Sequence, residues 1–206
     1  MELNYFKYYK PSAIIPFVLI AGTLLSYISS HTLELLANNT SLNYYQFPSA
    51  TILLGGLMYW IDKSLWKFRP FKCLFWLKNI SGRYEGALEF NHYKTGEKEQ
   101  RAFALEIEQT GSTIKLTTYF NNGKDDTSIS QSDLITPKID EFGNLSLYMN
   151  FHNNGNPVLD IPSHFGTNIL EYYEGMLRGS YYTSKTPQTK GLMTANFVSN
   201  KLEKKF

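Results

Sequence analysis

The densest set of ligand-capable side chains lies in Arg178 to Lys190, RGSYYTSKTPQTK. Tyr181 and Tyr182 offer aromatic faces on which flat rings such as nucleobases stack. Arg178, Lys185 and Lys190 offer charge-assisted hydrogen bonds to phosphate, and Thr183, Ser184, Thr186 and Thr189 add hydroxyls. A hairpin loop between the last two strands accounts for the same residues with no ligand, and the sequence leaves both readings open. Taken with aromatic and basic residues of the preceding strands, the candidate ligand contacts are Tyr84, Arg101, Tyr148, Arg178, Tyr182, Thr186, Thr189 and Lys190.

Other chemistries leave no trace. The chain has no G-x-S-x-G, no Walker motif and no HExxH. His31, His92, His152 and His164 show no metal-ligand spacing, and Cys73, the single cysteine, can build neither a disulfide nor a thiolate site. The expectation is therefore a binding protein and not an enzyme, with no catalytic residues, no metal and no cofactor.

The residues that would position this cluster follow from hydropathy. Up to Lys78 there are seven Lys/Arg and three acids; the rest of the chain carries thirteen bases and fifteen acids. A near-neutral second part lacks the basic excess that DNA or RNA polymers require. Two uncharged stretches dominate the first part. Residues 11–33 are long enough to cross a bilayer, and residues 42–61 are expected to cross back. Tyr44 and Tyr45 at one end, and Tyr59 and Trp60 at the other, fit an aromatic belt. Lys7 and Lys10 precede the first span; Lys63, Lys67, Arg69 and Lys72 follow the second; the connecting loop has no Lys or Arg. The positive-inside rule then puts both termini in the cytosol. A cleaved signal peptide would explain the first stretch, but no A-x-A-like site follows it. The small pairs Gly22/Ser26 and Thr51/Gly55 suit close transmembrane packing, within one hairpin or between copies.

From about residue 81 the pattern changes to period two. Tyr84, Gly86, Leu88 and Phe90 share one face; so do Phe103, Leu105 and Ile107, and Leu145, Leu147, Met149 and Phe151. Turn signals separate these runs, at Thr95-Gly96, Thr110-Gly111-Ser112 and Phe142-Gly143-Asn144 among others. ILEYYEGMLRGSYYT reads as one further strand and GLMTANFVS as the last. The fold class expected is a membrane α-helical hairpin plus an all-β domain, a seven- or eight-stranded antiparallel up-and-down β-barrel. The expected domains are a two-helix transmembrane region at 1–62, a basic aromatic juxtamembrane linker at 63–80 lying on anionic headgroups, and a cytosolic barrel at 81–206.

This layout resembles the membrane-anchored β-barrel effectors of bacterial CBASS antiphage systems, which are CD-NTase-associated proteins with two transmembrane helices. GRYEG (Gly82 to Gly86) and EGMLRGSYYTSKTPQTKG (Glu174 to Gly191) carry the local likeness. The resemblance implies a cyclic di- or trinucleotide ligand made by a partner CD-NTase and bound in the barrel. It also implies self-association into oligomers and disruption of the inner-membrane lipid bilayer, leading to cell death. Two other readings compete. A membrane-tethered lipocalin-like binder of a lipid or small molecule requires a wholly apolar interior, and a scaffold requires a barrel filled by its own side chains.

Overall fold

The computed structural model describes residues 6–39, 49–92, 95–121, 127–155 and 162–206. The chain divides into two compact units. One is residues 1–79 with the turn Thr110–Thr113; the other is residues 80–109 and 114–206.

The first unit is helical. Its long helix α1 spans Pro11–Asn39. Proline at the first helical position costs nothing there, because its missing N–H would have had no partner. Thr23 and Thr32 return their hydroxyls to the carbonyls of Leu19 and Ile28, four residues back. Polar groups are thus satisfied inside a helix whose Ile15, Leu19, Ile20, Leu24 and Tyr27 are all exposed. Among the described residues α1 is the one helix long and apolar enough to cross a membrane.

The expected second span is seen only as α2, Ala50–Lys63, capped by the Ser49 hydroxyl. Its 14 residues rise roughly 21 Å, short of a ~30 Å hydrocarbon core. Residues 42–48 of that expectation lie outside the described part. Gly22 brings α1 against Leu54 of α2, which is packing within the pair. Ser26, Thr51 and Gly55 are exposed.

After α2 a 3₁₀ turn, Leu65–Lys67, and a one-turn helix α3, Arg69–Lys72, reverse the chain. The segment expected to lie on headgroups is partly inward-facing. Trp66 and Phe75 are buried with Tyr9, Ile14, Ile61 and Leu74. Tyr9 and Phe75 form a β-bridge, and Lys10 and Trp76 bond the carbonyls of Leu74 and Tyr8. Burying two large aromatic rings outweighs leaving them at an interface.

The second unit is a closed barrel of eight antiparallel strands in chain order. The strands are β1 Gly82–Asn91, β2 Lys98–Gln109, β3 Ile114–Asn121, β4 Thr127–Ile139, β5 Leu145–Asn153, β6 His164–Tyr173, β7 Met176–Thr183 and β8 Lys190–Ser199. Pairing of β1 with β8 removes both sheet edges. The run ILEYYEGMLRGSYYT, expected as one strand, is two. Glu174 and Gly175 both take positive φ, 44° and 88°, and fold it into the β6–β7 hairpin. Consecutive positive φ values are the signature of the type I′ turn, which matches the twist of the flanking strands. At Gly179, a Cβ would overlap the Ile169 carbonyl, so strand curvature there requires glycine.

The interior has two layers. Tyr84, Leu105, Ile107, Leu116, Leu147, Leu170, Leu177 and Met193 fill the end where β1 begins. The other end is not filled.

One charged pair is buried on the outer wall. Arg83 and Glu106 are cross-strand partners only 4% and 2% exposed, joined by a 3.0 Å Nη1–Oε1 bond. The C-terminal residues cover them. Glu106 accepts the N–H groups of Glu203 and Lys204, and Arg83 donates to the Lys205 carbonyl. Arg83 also pairs with Glu85 through a 2.7 Å Nε–Oε1 bond, so Glu106→Ala would leave the buried guanidinium one carboxylate of two and would free the 203 and 204 amides. It should cost about 3 kcal/mol in urea unfolding and deprotect the 203 and 204 amides to hydrogen exchange. A variant as stable and as protected as the parent would refute the clasp.

Candidate functional site

The unfilled end of the barrel is a cavity of about 300 Å³. Strand parity selects its lining: the inward-facing positions at the ends of β1, β3, β5 and β7, and at the starts of β2, β4, β6 and β8, meet there. Leu88 closes its floor. Phe90, Phe120, Phe151 and Tyr181 supply rings on four sides. Phe120 leans on Phe103 with ring centroids 6.2 Å apart, and Phe151 meets the His164 ring edge-on at 6.4 Å.

Charge comes from Arg101, Lys185 and Glu99, with His164 beside them. The Arg101 guanidinium lies over the Phe90 ring, 5.9 Å from its centroid. Lys185 is held below its ordinary ammonium range by burial and by Arg101. His164 is likewise held low, chiefly by burial, with Lys185 and His152 adding to the effect. Burial pushes the Tyr181 phenol up to about 12, so it stays a neutral donor. Two cations thus share a partly dehydrated mouth with one carboxylate, which favours an arriving anion.

Hydroxyls and an amide complete the lining. Asn153 donates to the Ser130 hydroxyl at 2.8 Å, and the Thr183 and Thr189 hydroxyls are 2.7 Å apart. The loop that carries Lys185 is pinned at both ends. The Thr183 N–H donates to the Thr189 carbonyl and the Thr189 N–H donates back to the Thr183 hydroxyl, while Ser184 bonds the Phe165 carbonyl through both its N–H and its hydroxyl. The lysine is therefore presented by a fixed loop.

The sequence candidates scatter around this cavity. Arg101 and Thr189 line it. Tyr84 is sealed in the packed layer, its hydroxyl donating to the Ile80 carbonyl at 2.8 Å. Tyr148 and Tyr182 are 42% and 43% exposed on the outer wall. Arg178 is exposed, with Glu171 and Thr194 as its cross-strand partners. Thr186 is exposed in the loop, before a cis bond to Pro187. Lys190 edges a larger concavity of about 690 Å³ that shares Phe90 and Glu99 with the cavity. Tyr181, Thr183 and Lys185 of the Arg178–Lys190 cluster line it as well, and Phe90, Phe120, Phe151 and His164, which the sequence reading did not single out, complete the enclosure. Phe90, Phe120, Phe151 and Tyr181 share the period-two faces of Leu88, Leu116, Met149 and Leu177, which was the available signal.

A barrel packed at one end, with cations, hydroxyls and rings around a cavity at the other, belongs to the class of small-ligand receptors. The family described as Cap15, cyclic dinucleotide receptor domain, matches residues 76–196. The chain belongs to that family, and the likeness to CBASS effectors read from the sequence holds. Comparison with curated proteins gave no match.

The charge arrangement is checkable without a ligand. In Arg101→Ala the Lys185 ammonium should titrate closer to its ordinary range, because one of its two depressing influences is gone. NMR titration of the lysine side chain reads this directly, and an unmoved or lower value would show that the two cations do not interact.

Proposed function

We propose that the barrel mouth binds a cyclic oligonucleotide made by a CD-NTase, and that this binding drives self-association and disruption of the inner membrane. The observation that carries the reading is the pairing of Arg101 and Lys185 with Phe90, Phe120, Phe151 and Tyr181 in one cavity of a cyclic dinucleotide receptor family member. Phosphates would meet the two cations and the Thr and Ser hydroxyls, and bases would stack on the rings. The family description favours a cyclic dinucleotide over a trinucleotide. The role is that of a sensor and not an enzyme. Arg101, Lys185 and Asn153 in the lining weigh against the lipocalin-like lipid carrier, which needs an apolar interior.

The flanking bases support a two-span topology, 11–33 and 42–61, with cytosolic termini at the bacterial inner membrane. Signal would reach the membrane if the ligand binds the assembled form more tightly than the resting one, since only differential affinity shifts an equilibrium. Phosphates that neutralise Arg101 and Lys185 also remove repulsion between neighbouring copies, which supplies such a difference.

The direct test is calorimetric titration of the full chain in detergent with cyclic dinucleotides and their linear forms. A cyclic form should bind and its linear counterpart should not. Arg101→Ala and Lys185→Ala should each weaken binding roughly tenfold or more, a loss of about 1.5–3 kcal/mol for a charge-assisted bond. Arg178→Ala, on the outer wall, should leave affinity unchanged. Retained affinity in both cavity variants would sink the proposed site.

Binding should also depend on pH. His164 is held low in the free protein, and a nearby phosphate would raise it. Complex formation then takes up a proton, so affinity rises as pH falls through the imidazole range and weakens above it. His164→Gln should flatten that slope; the same slope in the variant would assign the proton elsewhere.

A further inference from the structure

The helical unit holds a second cavity, of different chemistry. It measures about 350 Å³ and is lined by Phe6, Tyr9, Gly55, Met58, Tyr59 and Asp62. Asp62 is only 5% exposed. A carboxylate so enclosed is costly unless a counter-charge accompanies it. Among the described residues no basic side chain pairs with it. Its Oδ1 accepts one long bond, 3.4 Å, from the Tyr9 hydroxyl. The Gly111 N–H goes to the Asp62 main-chain oxygen and adds nothing to the carboxylate.

Around that carboxylate stand aromatic rings. Phe6 and Tyr9 meet edge-on with centroids 5.4 Å apart, and form a corner. Tyr59 is 65% exposed and forms a rim. A Cβ at Gly55 would meet nothing within 4 Å, so that wall stands open. Rings around a buried anion are the chemistry that captures an alkylammonium ion, through cation–π contact and a charge-assisted hydrogen bond. The cavity's position in the chain supplies the source of the ion. Asp62 follows the exposed Tyr59 and Trp60 and precedes Lys63, an aromatic and basic boundary typical of the membrane–water interface. Zwitterionic headgroups present their ammonium at that depth.

We infer that this cavity binds the alkylammonium headgroup of a zwitterionic phospholipid, with Asp62 as its counter-ion and Phe6, Tyr9 and Tyr59 as its cage. The bound ammonium supplies the counter-charge that no described basic side chain gives Asp62. The barrel mouth plays no part in it, so the test is independent of any cyclic nucleotide.

Full-length protein in detergent would be titrated with phosphatidylethanolamine and phosphatidylglycerol carrying pyrene on one acyl chain, read by energy transfer from tryptophan. Phosphatidylethanolamine should bind at least about tenfold more tightly, a difference of ~1.4 kcal/mol. Asp62→Asn keeps the size of the side chain and should abolish the preference while phosphatidylglycerol binding stays as it was. Tyr59→Ala, at an exposed position, should reduce the preference severalfold and carries the test if Asp62→Asn does not fold. Equal affinity for the two lipids in the parent, or an undiminished preference in Asp62→Asn or Tyr59→Ala, would overturn the assignment. Free ethanolamine is the last arm. Displacement of the pyrene lipid only at large excess supports the headgroup, whereas displacement at concentrations matching the lipid would overturn it in favour of a soluble amine.

Discussion

Closure of β1 onto β8 is the constraint from which the rest of the barrel follows. Eight strands enclose an interior just wide enough for side chains to fill. Whether a cavity exists therefore depends on which inward positions carry bulk. At one end Tyr84, Leu105, Ile107, Leu147, Leu170 and Leu177 reach across and meet. At the other, Ser128, Ser130, Asn153 and Thr183 are too short to do so, and the rings of Phe90, Phe120, Phe151 and Tyr181 stay apart. The cavity is a consequence of small polar residues placed at the same height on β4, β5 and β7.

The same closure explains the outer clasp. Arg83 and Glu106 lie on positions that face outward by parity, yet both are buried. A salt bridge on a barrel wall would ordinarily be hydrated and contribute little. Here residues 203–205 cap it with main-chain groups, so that each charge keeps several hydrogen bonds after losing water. The pair fixes where the C-terminal segment lies, because only a chain that supplies two N–H groups and a carbonyl satisfies it.

The sequence made the architecture legible because period two survives in almost every strand. Faces such as Leu145, Leu147, Met149 and Phe151 need no structure to be seen. One break was hidden: Glu174-Gly175 lacks the Asn-Gly or Asp-Gly pair that signals a two-residue hairpin, so β6 and β7 read as one run. The helical part was legible in composition and less so in packing, since Trp66 and Phe75 look interfacial but lie in a core with Tyr9. The mouth was hardest. Tyr181 and Tyr182 are adjacent and chemically identical, and which one faces inward depends on a parity that the sequence alone leaves open. Arg101 and Thr189 lie on the inner side of that choice, Arg178 and Tyr182 on the outer. Residues from seven strands and a loop converge on the cavity, and no local pattern encodes convergence over such separations.

On the proposed reading, the mouth would select by charge more than by shape. Aromatic rings on four sides accept any flat ring system of suitable size, because stacking is tolerant of identity. Arg101 and Lys185 are different. Each raises the cost of the other, as the low-lying Lys185 shows, and Glu99 supplies only one opposing charge. An uncharged ligand of the same outline would gain the stacking and leave that repulsion in place. An anionic one gains the stacking and relieves the repulsion in the same event. The cavity would therefore discriminate by what it leaves unbalanced when empty, and the pinned loop keeps the backbone of Lys185 at the mouth.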